Sequence, residues 1–379
     1  MPTESARRTS PSESLTEVAS RLITEPLASG ATRLLAQPLA LGVTGAKSGL
    51  YMAESIPLFA LQRLFGAGAI APPLRLAPES QEAILTALRA LTERDAENMK
   101  RGFYPLSVLA PESTPIEHLS RYARLLVDSA GAATRKRDKR PREFRGAAAE
   151  RAREMPAYYR RNFHYQTDGY LSDASADLYE HQVEIIFRGV ADAMRRMVIP
   201  ALKRRFPSKG RGLRFLELAA GRGTATRFVA RAFPEARVTC VDLSDPYLRA
   251  AKKRLRRFER IDFLQGDAAD LDLRDERFDA VFSVFLFHEL PQKERARVLQ
   301  ESRRVLKPGG LHVFADSLQK GDVPELDWAL AEFPKQFHEP YYRDYVRTPI
   351  EGMIAEAGFG PTETETAFLT KIVSGPRGD

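Results

Sequence analysis

From Leu213 onward, short apolar runs alternate with helix-like stretches, and this alternation limits the fold more than any other feature of the chain. LRFLEL, ARVTCVDL, IDFLQG, FDAVFSVFLF and GLHVFADS read as strands, with helix-like segments between the first three and between the last two. Such alternation predicts a parallel sheet with right-handed crossovers. TETETA and FLTKIVSG lie close together and fit an antiparallel pair at the sheet edge. The predicted fold class is α/β, a doubly wound sheet of seven strands.

The preceding half reads as mostly α-helical. Residues 1–14 are polar and without period, a disordered lead. Residues 15–68 are apolar and interrupted by Pro26, Pro38 and Pro57, which predicts short helices broken at each proline. Arg33, Lys47, Glu54 and Arg63 deny this region the ~18 uninterrupted apolar residues of a spanning helix. Packing within the protein is the expectation there, with peripheral contact to a membrane surface as the other reading. Amphipathic spacing predicts helices over 79–99 and from Pro115 to about Ser129. The stretch GAATRKRDKRPREFRGA is charged and glycine-bearing, so a linker is expected over 131–150, dividing a helical N-terminal domain (15–130) from a helical cap (151–207). Val183, Phe187, Val190, Met194, Met197 and Ala201 draw one stripe along a long helix, which Pro200 kinks or restarts. The sheet domain then occupies 208–379, with an insertion at 318–348.

At 379 residues, with 43% hydrophobic and 28% charged residues, the chain has the composition of a globular protein with a packed core. Its single cysteine, Cys240, lies in an apolar run and reads as a buried structural thiol; an internal disulfide is impossible. No apolar stretch follows the arginines of MPTESARRTSPSES, so a cytoplasmic location is expected. The net charge of +8 gathers in three basic runs, around Arg135–Arg145, Arg195–Arg205 and Arg249–Arg260, each read as a solvated face in preference to a phosphate-binding patch. The histidines show no paired ligand spacing, and no metal site is expected.

The first strand runs into Leu218-Ala219-Ala220-Gly221-Arg222-Gly223-Thr224 and a helix begins at once. Small residues at 219, 221 and 223 let a ligand approach the backbone, beside the free N–H groups of a helix start. A nicotinamide dinucleotide would use the same kind of turn, but Thr226 occupies its third small position. The second strand ends at Asp242, placed to accept from the two hydroxyls of a ribose. A further acid, Asp267, follows the third strand in QGDAADL.

With these residues, and with FDAVFSVFLFHELP and RRVLKPGGLHVFADS, residues 211–317 resemble the class I S-adenosylmethionine-dependent methyltransferases, whose sheet is Rossmann-like. The resemblance implies S-adenosyl-L-methionine as cofactor. Glu217, Ala219, Gly221 and Gly223 would surround its methionine part, Asp242 the ribose, Asp267 and Ala268 the adenine, with Ser283 and Phe285 as the floor. Ala219 departs from the glycine that many members carry.

Methyl transfer is an in-line displacement governed by orientation and desolvation. Where the acceptor must lose a proton, a histidine at the carboxyl edge of the sheet is the natural base, which selects His288, with Glu289 beside it. Two aromatic clusters flank the sheet: Tyr158, Tyr159, Phe163, His164, Tyr165 and Tyr170 before it, and Phe337, His338, Glu339, Tyr341, Tyr342 and Tyr345 after the fifth strand. Covering a methyl acceptor and packing one region on another are both open to them. The leading expectation is an enzyme that methylates a small hydrophobic or aromatic molecule, such as a lipid, quinone or secondary metabolite. Nucleic-acid methylation is the second, opposed by Phe287-His288-Glu289-Leu290 where base-methylating members carry an Asn- or Asp-Pro-Pro-aromatic motif. A non-catalytic binding protein on the same fold is the third. Whether the chain forms a homodimer stays open.

Overall fold

The structure, a computed structural model, describes residues 30–66 and 76–378. The lead expected at 1–14, and Pro26 with the start of the apolar region, lie outside the described residues. All seven expected strands form: β1 (Arg214–Leu218), β2 (Arg237–Asp242), β3 (Ile261–Gln265), β4 (Phe278–Val284), β5 (Leu306–Ser317), β6 (Glu363–Ala367) and β7 (Thr370–Pro376). They make one sheet in the order β3-β2-β1-β4-β5-β7-β6. The first five pair in parallel, and β7 runs antiparallel to both β5 and β6. Strand order reverses between β1 and β4, so the crevice for a ligand opens at their carboxyl ends.

The helical half differs from its sequence in three places. First, α1 (Gly30–Gly66) continues through Pro38 and Pro57 as one helix instead of breaking at each. An internal proline costs roughly 3 kcal/mol in a lost N–H bond and a crowded carbonyl. Packing offsets it: Ala36 and Ala40 enter the core against the sheet, and Leu58 packs with Leu125 and Ile185. The second helix, α2 (Pro78–Lys100), falls where its period puts it.

Second, the expected linker is largely ordered structure. A capping box between Thr114 and Glu117 opens α3 (Pro115–Arg137), which runs through the first residues of that charged stretch; α4 (Ala147–Glu154) follows. Arg135 is buried because its guanidinium donates to the Tyr165 carbonyl at 2.9 Å and the Thr167 hydroxyl at 2.8 Å, replacing water.

Third, the striped long helix divides into α5 (Asp173–Ile186), α6 (Ala191–Arg196) and α7 (Val198–Arg205). Gly189 sits at the first break with φ +81°, and a Cβ there would lie 2.8 Å from the Ser48 Cα of α1. The chain breaks where α1 crosses it. The second basic run is a solvated face only at its far end, where Arg204 and Arg205 are exposed. Arg195 and Arg196 are buried, with Arg195 3.1 Å from Glu180 and Arg196 paired with Asp95 at 2.9 and 2.6 Å.

The remaining helices are α8 (Thr224–Ala232), α9 (Asp245–Arg254), α10 (Gln292–Val305), α11 (Asp327–Gln336), α12 (Tyr342–Arg347) and α13 (Ile350–Glu356). Successive strand residues face opposite ways. Phe215, Val238, Phe282 and Val313 pack on α8, whereas Leu216, Val241, Val281 and Phe314 pack on α10. The first of these layers also takes in Ala36, Leu91 and Met99, so the N-terminal helices share a core with the sheet instead of forming a unit across a linker. Glu365 of the edge strand β6 is held by Arg94 of α2 and Arg204 of α7. The large apolar side chains left exposed, among them Ile56, Phe59, Ile116 and Val127, lie on α1, α2 and α3. No helix among the described residues is long and apolar enough to cross a membrane.

The Asp95 carboxylate also accepts from the Tyr104 hydroxyl at 2.7 Å, and all three partners are nearly inaccessible. Removing one member of a buried pair strands the other charge, at about 3–5 kcal/mol. Asp95→Ala is therefore expected to lower unfolding stability by about that amount, measured by urea denaturation; a loss below about 1 kcal/mol would refute the burial argument.

Candidate active site

The turn from β1 into α8 has three residues in the left-handed region: Ala219 (φ +53°), Gly221 (φ +56°) and Gly223 (φ +72°). Their roles differ. A Cβ on Gly223 would meet Leu255 Cδ1 at 2.5 Å, so this glycine serves helix packing. A Cβ on Gly221 would find only Tyr247 Cδ1 at 4.0 Å, which leaves room on the side where a ligand would lie. The turn is held by Asp242. Its Oδ2 accepts from the Gly221 N–H at 2.7 Å and its Oδ1 from the Ser244 N–H at 2.8 Å, which ties the ends of β1 and β2 together.

A cavity open to solvent lies at this point. It is lined by Glu217, Ala219, Gly221, Asp242, Asp267, Ala268 and Phe285, seven of the nine residues that the resemblance assigned to the cofactor. Gly223 and Ser283 do not line it; Ser283 is buried, with a hydroxyl that has no hydrogen-bond partner. Burial pushes the Asp242 carboxyl up to about 6 against the lowering effect of the two N–H groups. Glu217 is pushed up to about 8 by burial, opposed by a hydrogen bond from the Thr226 hydroxyl. Thr226, the residue that spoiled the dinucleotide fingerprint, thus holds a carboxyl of the site. Asp267 accepts from the Tyr158 hydroxyl at 3.1 Å and from the Ala269 N–H at 2.9 Å. These features fit a nucleoside: an open glycine, a diol acceptor with lone pairs to spare, and a second acid beyond it.

A second cavity adjoins the first, walled by apolar side chains that include Val183, Phe187, Met194, Leu330 and Phe333. Tyr179, Phe285 and Glu289 line both cavities. His288 lines the second, with its Nδ1 2.6 Å from Asp316 Oδ1. Asp316 is itself fixed by the N–H groups of Phe287 and Ser317, each at 2.7 Å. Burial alone would lower the His288 imidazole, but the Asp316 carboxylate outweighs it and raises the group to about 9. Asp316 thus holds one ring nitrogen of His288, the residue expected to act as base, and leaves the other toward the second cavity. Glu289 accepts from the Tyr170 hydroxyl at 2.6 Å, and burial followed by repulsion from Glu339 raises its carboxyl.

The expected substrate residues divide. His164 and Tyr342 line the second cavity, whereas Tyr159 and Tyr170 line the first. Tyr165, His338 and Tyr341 line neither. Tyr165 and His338 pack on one another with ring centres 5.3 Å apart, and Tyr341 packs against a cluster containing Phe163, Tyr170 and Tyr247. Sequence reasoning missed Tyr179, which carries no motif, and Asp316, whose place at the end of the fifth strand was a usable signal. It also saw no ligand spacing for a metal. The fold nevertheless assembles two groups with ligand atoms within 4.8 Å of one another, Glu54 with His118 and His181, and His164 with Glu289 and Glu339. Each group is drawn from distant parts of the chain, which hides it from spacing.

Residues 215–310 match the family model described as a methyltransferase domain, and over this segment the chain is of the class I S-adenosylmethionine methyltransferase kind. It is 37% identical over 125 residues to a fatty-acid O-methyltransferase of Mycolicibacterium smegmatis, covering 33% of this chain and 44% of that protein. It is 36% identical over 152 residues to a ubiquinone/menaquinone biosynthesis C-methyltransferase of Methylobacterium nodulans, covering 39% and 58%. The matches thus span about half the length of these relatives. A solved O-methyltransferase family protein from Burkholderia thailandensis aligns with TM-score 0.41 at 19% identity, over 55% of this chain and 64% of that one.

The two glycines of the turn separate by stability. Gly223→Ala combines left-handed strain of about 1–2 kcal/mol with overpacking of about 1–3 kcal/mol, whereas Gly221→Ala carries the strain alone. Urea denaturation is expected to show the larger loss at 223; equal losses would mean that Leu255 gives way and that Gly223 has no packing role.

Proposed function

We propose that this chain transfers a methyl group from S-adenosyl-L-methionine to an apolar small molecule bound in the second cavity. The observation that carries this reading is the shared wall: Tyr179, Phe285 and Glu289 bound both the cavity that holds Asp242 and Asp267 and an apolar one, so the two ligands would meet there. Relatives named for fatty-acid and quinone methylation support an acceptor of that character. An apolar cavity and internal arginines such as Arg195 and Arg196 speak for a small molecule over nucleic acid.

Asp242 would accept from the ribose hydroxyls, Asp267 and Ala268 would bound the adenine, and Glu217 with Gly221 the methionine part. The bound cofactor supplies an electrophilic methyl group. The chain's own residues supply orientation and dryness: Phe187, Met194 and Phe333 exclude water from the acceptor, and Tyr158 covers Asp267. His288, fixed through Nδ1 by Asp316, keeps Nε2 for an oxygen of the acceptor. Glu289, anchored by Tyr170, stands where the two ligands adjoin.

Diol binding uses ionised Asp242, and a ligand that favours the ionised form releases the proton the free site holds below about pH 6. Affinity for S-adenosylmethionine is thus expected to fall as pH drops from 7.5 to 5. Asp242→Asn should bind roughly 10–100-fold more weakly, since charge-assisted hydrogen bonds contribute about 1.5–3 kcal/mol, with a flatter pH profile. Calorimetry tests both, followed by mass spectrometry of products from long-chain fatty acids and quinols. No binding up to millimolar concentration would sink the cofactor reading; binding without product across that panel would sink the apolar acceptor.

A further inference from the structure

Beside the shared wall, three side chains from distant segments converge. His164 comes from the loop before α5, Glu289 from the turn after β4, and Glu339 from the loop between α11 and α12. Their ligand atoms lie within 4.8 Å of one another. A metal ion with bonds of about 2.0–2.2 Å spans ligand separations up to about 4.4 Å, so rotation of one carboxylate closes the group.

The geometry points to a binding site for one divalent transition-metal ion, held by His164, Glu289 and Glu339. Glu339 supplies the independent observation. Its side chain is fully buried, and neither carboxylate oxygen has a hydrogen-bond partner. Oε1 has His164 Nε2 as its ion-pair neighbour, whereas Oε2 has no polar partner; a buried carboxylate oxygen left so costs about 1–3 kcal/mol or more, which a cation would offset. His164 Nε2 lies only 2.8 Å from Glu339 Oε1, yet the two are not aligned as donor and acceptor. Two ligands of one ion stand in that way, side by side with their lone pairs converging on a third point.

The backbone and the outer contacts agree. His164 adopts φ +54°, an unfavourable conformation for a residue with a side chain, and its N–H is anchored on the His338 carbonyl at 3.3 Å, next to Glu339. Glu289 is oriented by the Tyr170 hydroxyl, an outer hydrogen bond of the sort that fixes ligating carboxylates. His164 Nδ1, in contrast, is buried without a partner. A missing outer bond of this kind lowers affinity about 10–100-fold, which describes an exchangeable ion more than a permanent structural one. One imidazole and two carboxylates suit Mn²⁺, Fe²⁺ or Zn²⁺. His164 and Glu289 also line the second cavity, so the open side of the ion faces that space, where an oxygen of a bound molecule completes the shell. The site stands on these three side chains and does not depend on methyl transfer.

The test uses the full chain, stripped with chelator and titrated with Mn²⁺, Zn²⁺ and Co²⁺. Elemental analysis reads stoichiometry, and Co²⁺ absorption reads the ligand field. Glu339→Gln and His164→Gln are compared with Glu54→Gln, which breaks the other histidine–glutamate group; circular dichroism establishes that each variant is folded, and Glu289→Gln replaces any that is not. One equivalent of metal that is lost in the first two variants, by tenfold or more in affinity, and kept in Glu54→Gln is the result expected. Absence of metal binding in the unaltered chain overturns the site, as does metal lost only with Glu54→Gln or retained in Glu339→Gln.

Discussion

The buried carboxylate of Asp242 is the constraint on which the rest of the site depends. By accepting one N–H from Gly221 and one from Ser244, it fixes the turn after β1 against the loop after β2 at the carboxyl edge of the sheet. Ala219 and Gly221 can hold left-handed backbone there because both ends of the segment are tied, the Ala220 N–H bonding the Val241 carbonyl at 2.9 Å. The arrangement stores strain of about 1–2 kcal/mol in Ala219 and returns a backbone surface that a ligand can approach.

Around this fixed edge the helical half is built as a wall. Beside a small cluster of their own around Leu58, Leu125 and Ile185, its helices share the main core: Ala36, Leu91 and Met99 belong to the layer that holds Phe228 and Phe282. Ion pairs weld the layers, the buried Arg196 on Asp95 and the half-buried Lys47 of α1 within 2.8 Å of both Glu184 and Asp192. Desolvated charges are poor sources of net stability but discriminate strongly against misplacement, because each shift strands a charge. They suit a wall whose position decides the shape of a cavity.

The sheet was legible in the sequence because strand period and crossover rules act locally: six strands lie on the apolar runs, and β6 on the polar TETETA that was read as an edge strand. The acids that line the first cavity were legible for a related reason. Glu217, Asp242 and Asp267 sit at strand ends, so their spacing reports their position. The helical half was less legible because long-range packing overrode local signals. Pro38 and Pro57 are tolerated within α1, Arg135 is buried inside a run that reads as solvent-facing, and Gly189 breaks an otherwise continuous stripe to let α1 pass. His164, Glu289 and Glu339 show the limit of such reading, since only the folded chain brings positions 164, 289 and 339 together.

The two cavities draw on different stretches of chain. The first takes most of its acids and its glycine from the segment between Glu217 and Ala268, and the second takes its apolar wall from α5, α6 and α11. Similarity to known methyltransferases concentrates at 215–310, where the first stretch lies. A lineage can therefore exchange Val183, Phe187, Met194, Leu330 or Phe333 without disturbing the carboxylate that pins the turn. Changes to the apolar wall and changes to the acid-bearing turn thus fall largely on different stretches of the chain, so the second cavity can be reshaped while the first keeps its carboxylates.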